Sequence, residues 1–154
     1  IKILFFLKDN FILNISNETK HARLNIFKDI SKLNYKGYFI TTSDTVNYIN
    51  QYSMKPIVLD TQSFDFLPYH PYLLKNTFKI LKDIYGVEIN NPPNKNDPSL
   101  PDDFIKKTFE AKQKSDWDYI EKKYNANYIV VPSGWKINLS LFKNNSFYSI
   151  YKIN

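Results

Sequence analysis

The feature that most constrains this chain is the order of its apolar runs. Tyr38-Phe39-Ile40-Thr41-Thr42, Ile57-Val58-Leu59-Asp60 and Tyr128-Ile129-Val130-Val131 are short and continuously apolar or β-branched, and they do not alternate with polar residues. Such runs mark strands covered on both faces, the signature of a parallel or mixed sheet flanked by helices. The segments between them carry helical spacing. Ala22, Ile26, Phe27, Ile30 and Leu33 fall on one face behind a capping Ser16, and Ser43 suits the start of a second helix through Tyr52. Strand–helix–strand order of this kind predicts an α/β fold with a parallel core.

The rest of the chain completes that sheet. Pro71 suits the first turn of a long helix, and Gly86 is a natural C-terminal stop. Leu73, Leu74, Thr77, Phe78, Ile80, Leu81, Ile84 and Tyr85 cover more than half its surface, which predicts packing on two sides. Residues 90–100 are polar and proline-punctuated and read as an exposed loop. Asp102 and Asp103 open another helix at its positive end, and Ser115-Asp116-Trp117-Asp118 opens a further one in capping-box style, with Trp117, Ile120 and Tyr124 as its buried stripe. Ile137, Leu139 and Leu141 alternate with Asn138 and Ser140, Asn144-Asn145 offers a turn, and residues 147–153 return. This predicts a C-terminal antiparallel hairpin at the sheet edge.

The length of 154 residues suits one domain with one core, so residues 1–154 read as a single α/β unit. For the apolar opening, Ile1-Lys2-Ile3-Leu4-Phe5-Phe6-Leu7, two readings stay open: a buried strand of this domain, or, over residues 1–15, the edge of an upstream membrane region. The run is far shorter than the roughly 20 residues a membrane span requires. The start at Ile1 rather than Met fits a fragment of a longer polypeptide.

Composition removes several classes of function. Glycines stand only at positions 37, 86 and 134, so neither a phosphate-binding glycine loop nor a dinucleotide fingerprint can be built. Without cysteine there is no thiol catalysis, zinc ribbon or disulfide framework. His21 and His70 are isolated in sequence, so neither a metal site nor any cofactor is expected. The net charge of +6 would suit an anionic partner, but Arg23 is the only arginine and the lysines are scattered, often beside acids as in Lys28-Asp29. Base-edge recognition relies on arginine forks, so nucleic acid is not an expected partner.

The best candidate cleft is the loop after Asp60, because ligands of parallel sheets bind beyond the carboxyl ends of the strands. Asp65 follows closely, and two converging carboxylates would serve acid–base work. Alternatively, both cap turns through loop amides. Phe66, Tyr69, His70 and Tyr72, with Phe64, add rings that either form a stacking platform for sugars or pin the loop to the core. The candidate binding residues are therefore Asp60, Asp65, Phe66, Tyr69, His70 and Tyr72. Ser133-Gly134 lacks a nucleophile elbow. Trp135 is expected to anchor the hairpin.

Several patches, read in order, also carry a resemblance. Lys55-Pro56-Ile57-Val58-Leu59-Asp60 and Phe64-Asp65-Phe66-Leu67-Pro68-Tyr69 are followed by Ile80-Leu81-Lys82-Asp83-Ile84-Tyr85-Gly86-Val87-Glu88, Pro92-Pro93, Trp117 and Gly134-Trp135-Lys136-Ile137-Asn138-Leu139-Ser140-Leu141. Over residues 36–153 this order resembles the C-terminal extracytoplasmic region of bacterial multi-spanning membrane proteins that are similar to lipid-linked-sugar glycosyltransferases. The family pattern favours Arg at position 55, Gly at 61 and Asp at 88, where this chain has Lys55, Thr61 and Glu88; loss of the Arg weakens a bidentate anion contact there. The resemblance implies a periplasmic accessory domain that partners its own membrane-spanning region and recognises glycan or lipid-linked sugar. The catalytic acid would then lie outside this chain. The other readings are a protein-interaction module, or a small hydrolase-type enzyme using Asp60 and Asp65.

Overall fold

The structure, a computed structural model, describes residues 17–34, 36–42, 49–60, 67–93 and 101–154. The elements in chain order are α1 (Asn17–Ser31), β1 (Tyr38–Thr41), α2 (Ile49–Ser53), a 3-10 turn (Pro71–Leu73) leading into α3 (Leu74–Tyr85), α4 (Asp102–Ala111), α5 (Lys114–Tyr124), β2 (Ala126–Pro132), β3 (Ser140–Asn144) and β4 (Tyr148–Lys152). The four strands form one mixed sheet in the order β1-β2-β4-β3. β1 is parallel to β2, with Ile40 opposite Ile129, whereas β4 is antiparallel to both β2 and β3. The α/β class, the central position of the 128–131 run and the terminal antiparallel hairpin are those the sequence predicts.

The continuous apolar runs are explained by a core on each side of the sheet. Successive strand residues point to opposite faces. Phe39, Tyr128, Val130, Tyr148 and Ile150 face Ile26, Phe27 and Ile30 of α1 and Ile49 of α2. Ile40, Ile129, Val131 and Tyr151 belong to the second, larger cluster, with Leu81, Ile84 and Tyr85 of α3, Phe109 of α4 and Trp117 and Ile120 of α5. Phe109 sits at the centre of the second core. Its ring packs edge-on against Trp117 at 5.2 Å and Trp135 at 6.1 Å, and lies 5.8 Å from Tyr85. Trp135 is buried and its carbonyl accepts from the Tyr151 hydroxyl at 2.7 Å, so it does anchor the hairpin.

Four local expectations change. The run 57–60 makes a single parallel bridge, Ile57 to Phe39, held by Phe39 N–H to Pro56 C=O and Val58 N–H to Phe39 C=O. Its apolarity reflects burial of Leu59 in the larger core rather than a full ladder. α3 buries one side only, through Thr77, Leu81, Ile84 and Tyr85, while Leu73 and Phe78 remain exposed. α5 begins before Ser115: its cap is Gln113, whose N–H donates to the Asp116 carboxylate at 2.8 Å. β3 starts only at Ser140 and all five of its residues are exposed, so Leu141 is not part of an inward stripe. The caps expected at Ser16 and Ser43 and the opening run of residues 1–7 lie outside the described residues.

α3 and α5 are clamped by one polar cluster. Asp83 Oδ2 accepts from Lys123 Nζ and from the Tyr124 hydroxyl, both at 2.6 Å, and Lys123 also donates to the Tyr119 hydroxyl at 2.7 Å. Desolvation pushes the Asp83 pKa upward, but the two hydrogen bonds and the neighbouring Lys123 and Lys82 charges outweigh it, so the carboxyl titrates below its usual value. Tyr124 is raised to about 12, first by desolvation and then by its bond to Asp83. A depressed carboxyl stabilises the fold above its unfolded pKa, about 3.9, and that contribution is lost as pH falls through the lower folded value. Wild type should therefore exceed Asp83→Asn in urea midpoint at pH 7, by an amount equivalent to about 1 kcal/mol, and the gap should narrow towards pH 3. A gap that does not change with pH would mean the carboxylate charge contributes nothing.

Candidate functional site

Because β1 and the 57–60 segment run the same way, Thr42 and Asp60 emerge at the same carboxyl end of the parallel part of the sheet. The β3–β4 turn reaches that end too: Tyr148 pairs with Pro132, and Ser133 N–H donates to Phe147 C=O at 2.8 Å. Asp60 is half-buried there and holds polar interactions of its own. Asp65 and Phe66, together with Thr61 and Phe64, lie outside the described residues, so the expected pairing of Asp60 with Asp65 has no geometry to report.

Beyond that point the chain forms a short 3-10 turn over residues 67–69, then His70, then the second 3-10 turn from Pro71. Pro71 fixes φ at the entry, and the turn is stitched by His70 N–H to Leu67 C=O at 3.0 Å and Leu73 N–H to His70 C=O at 2.9 Å. None of the residues of the second turn is buried. Tyr69 is 79% exposed and Tyr72 73% exposed, the highest values among the exposed aromatic side chains of the described residues. The sequence left open whether these rings pin the loop to the core or project from it. They project.

The projection is ordered. The Tyr72 hydroxyl lies 3.3 Å from His70 Nδ1, and the two rings meet edge-on with centroids 5.7 Å apart. The result is an exposed aromatic surface with hydroxyl and imidazole handles, on the turn that leads into α3. Such a surface suits stacking against the apolar face of a sugar and hydrogen bonding to its hydroxyls. Among the described residues, no group of three or more His, Cys, Asp or Glu lies together in a way that could hold a metal ion.

A concave surface lies elsewhere. A cavity of about 360 Å³ opens between the second half of α1 and the β3–β4 turn. Nothing in the sequence singled it out, since it joins residues more than a hundred positions apart. Compared with protein-family models, with curated proteins and with solved structures, the chain matches none of them. None of the described helices is long and apolar enough to cross a membrane.

Proposed function

We propose that this domain is a recognition module without catalysis of its own. In this reading it is the accessory, extracytoplasmic part of a glycosyltransferase-like membrane protein and binds glycan or lipid-linked sugar through the turn at residues 69–72. The observation that carries the reading is the pair of largely exposed tyrosines on a hydrogen-bonded turn. Soluble proteins seldom leave neighbouring large rings in water unless a partner covers them. Holding them on 3-10 turns, with His70 against Tyr72, lowers the ordering cost that binding would otherwise carry. The membrane and glycosyltransferase part rests on the resemblance of the patches at residues 55–60, 80–88 and 134–141. The expected chemistry of the turn is the same whether the sugar is free or lipid-linked.

The test is direct. Wild-type domain and Tyr69→Ala/Tyr72→Ala are passed over a panel of immobilised bacterial oligosaccharides. Wild type should retain a subset, and the double substitution should weaken that binding about tenfold or more, the worth of two lost ring contacts. Phe at both positions should retain most of the affinity, since the stacking face persists. Equal binding by wild type and the double alanine variant, or none by wild type, would end the proposal. Both residues are so exposed that their loss should leave the unfolding midpoint unchanged.

A further inference from the structure

We infer that the cavity between α1 and the β3–β4 turn is a binding site for a phosphate group, held by Lys28, Lys32 and Lys143.

Three lysines and a single acid, Asp29, stand among the described residues lining the cavity, which leaves a net charge of +2. That acid is already engaged, because Lys143 Nζ lies 2.6 Å from Asp29 Oδ2. The ion pair joins the hairpin to the helix, and Lys143 lines the cavity together with Lys28, in the last turn of α1, and Lys32, the residue just past the helix end. Asn25 and Asn144 also line it, and their side-chain amides can donate to an oxyanion. The turn itself is braced: Asn145 Oδ1 accepts from the N–H groups of Phe147 and Tyr148 at 2.9 and 2.8 Å. The lining therefore offers ammonium and amide donors, and its one carboxylate is held by a lysine.

Lysine is a point-charge ligand for phosphate, needing none of the fork geometry of arginine. The volume exceeds what a bare phosphate fills and falls at the small end of the range for ligand sites, so a phosphate carried on a larger group is accommodated. The β3–β4 turn also lies at the carboxyl end of β2, where open α/β sheets place their ligands. This site shares no residue with the tyrosine turn, and it stands or falls separately from the glycan reading.

The probe is inorganic pyrophosphate, titrated into the 15N-labelled chain at low salt. Amide shifts should concentrate at Lys28, Lys32 and residues 143–145 and should weaken steeply with added salt, as expected when the Debye length falls below about 10 Å. Lys28→Gln/Lys32→Gln should weaken binding about 25-fold, taking about fivefold per charge at contact distance in water. Lys107→Gln/Lys122→Gln, which removes the same charge from exposed positions on α4 and α5, should change it less than twofold. Asp29→Asn should tighten binding severalfold, because it removes the competing carboxylate and releases Lys143. Equal losses from the two lysine pairs, weaker binding by Asp29→Asn, or shifts that bypass these residues would each overturn the assignment. Vesicles of phosphatidylglycerol in phosphatidylcholine identify the source. If they displace pyrophosphate, and Lys28→Gln/Lys32→Gln abolishes the effect, the phosphate is a lipid headgroup. If pyrophosphate binds and the vesicles do not compete, it is a soluble phosphate ester.

Discussion

Phe109→Ala should lower the stability of this domain by about 3–5 kcal/mol, enough to approach global unfolding in a domain whose total is about 5–15 kcal/mol. The side chain is completely buried. Its ring is the common neighbour of Tyr85, Trp117 and Trp135, so truncation removes three ring contacts at once. Each such contact is worth about 0.5–1.5 kcal/mol beyond area. The cavity would sit where α3, α4, α5 and the start of the C-terminal hairpin meet. Collapse around it would require several elements to move together, which places the cost in the upper part of the range. Phe109→Leu, which loses the same ring contacts but keeps much of the volume, should cost clearly less than Phe109→Ala. Urea unfolding of the three proteins decides the matter. A loss below about 1 kcal/mol for Phe109→Ala would mean that the larger core is held elsewhere.

Gly86→Ala should be the next most damaging of these substitutions, and for two separable reasons. Gly86 ends α3 at φ +70°, with Val87 N–H closing back onto Leu81 C=O at 3.0 Å, the wrap-back that satisfies a helix end. A side chain at positive φ costs about 1–2 kcal/mol by itself. In addition, a Cβ at this position would stand 2.9 Å from Thr108 Cγ2 on α4, a contact that only a shift of Thr108 or of its helix can relieve. Overpacking of that kind adds about 1–3 kcal/mol. Gly134 supplies the control: it has φ +86° but open space around its missing Cβ, so Gly134→Ala should cost only the conformational part. Thr108→Ala should rescue the steric part of Gly86→Ala and leave the rest, a coupling that a double-mutant cycle measures. Equal costs at the two glycines would refute the close approach.

Much of this architecture was legible because it follows from period and punctuation. Continuous apolar strands require cover on both faces, and residues 128–131 indeed alternate between two cores. Gly86 was readable as a stop because only a glycine takes that conformation cheaply. Where the reading differed, pattern reported burial and not pairing. Residues 57–60 looked like a strand because Leu59 is buried, yet they meet β1 in an isolated bridge at Ile57 and not in a ladder. Leu73 and Phe78 looked like a second packed face of α3, but no described element covers them, and apolar residues on a surface carry no mark in sequence that separates them from core. The Gln113 cap of α5 was missed because Ser115 is the more familiar capping residue.

The two sites were legible to different degrees. Tyr69, His70 and Tyr72 stood out in sequence as a density of rings after Asp60, although whether they faced inward or outward depended on turn geometry. The lysine cavity was invisible. Lys28 and Lys143 lie 115 positions apart, and Lys28 beside Asp29 looked self-neutralised, whereas in the fold Asp29 pairs with Lys143.

The central claim is that the turn at residues 69–72 is a glycan-recognition surface. The measurement that tests it most directly is an NMR titration of a retained oligosaccharide into the labelled chain, following the ring protons of Tyr69 and Tyr72 and the imidazole of His70. The account predicts saturable shifts centred on those rings, saturation transfer from them to the sugar, and loss of both effects in Tyr69→Ala/Tyr72→Ala with an unchanged fold. Saturable sugar binding that leaves these rings undisturbed, or that survives the double substitution, would contradict it.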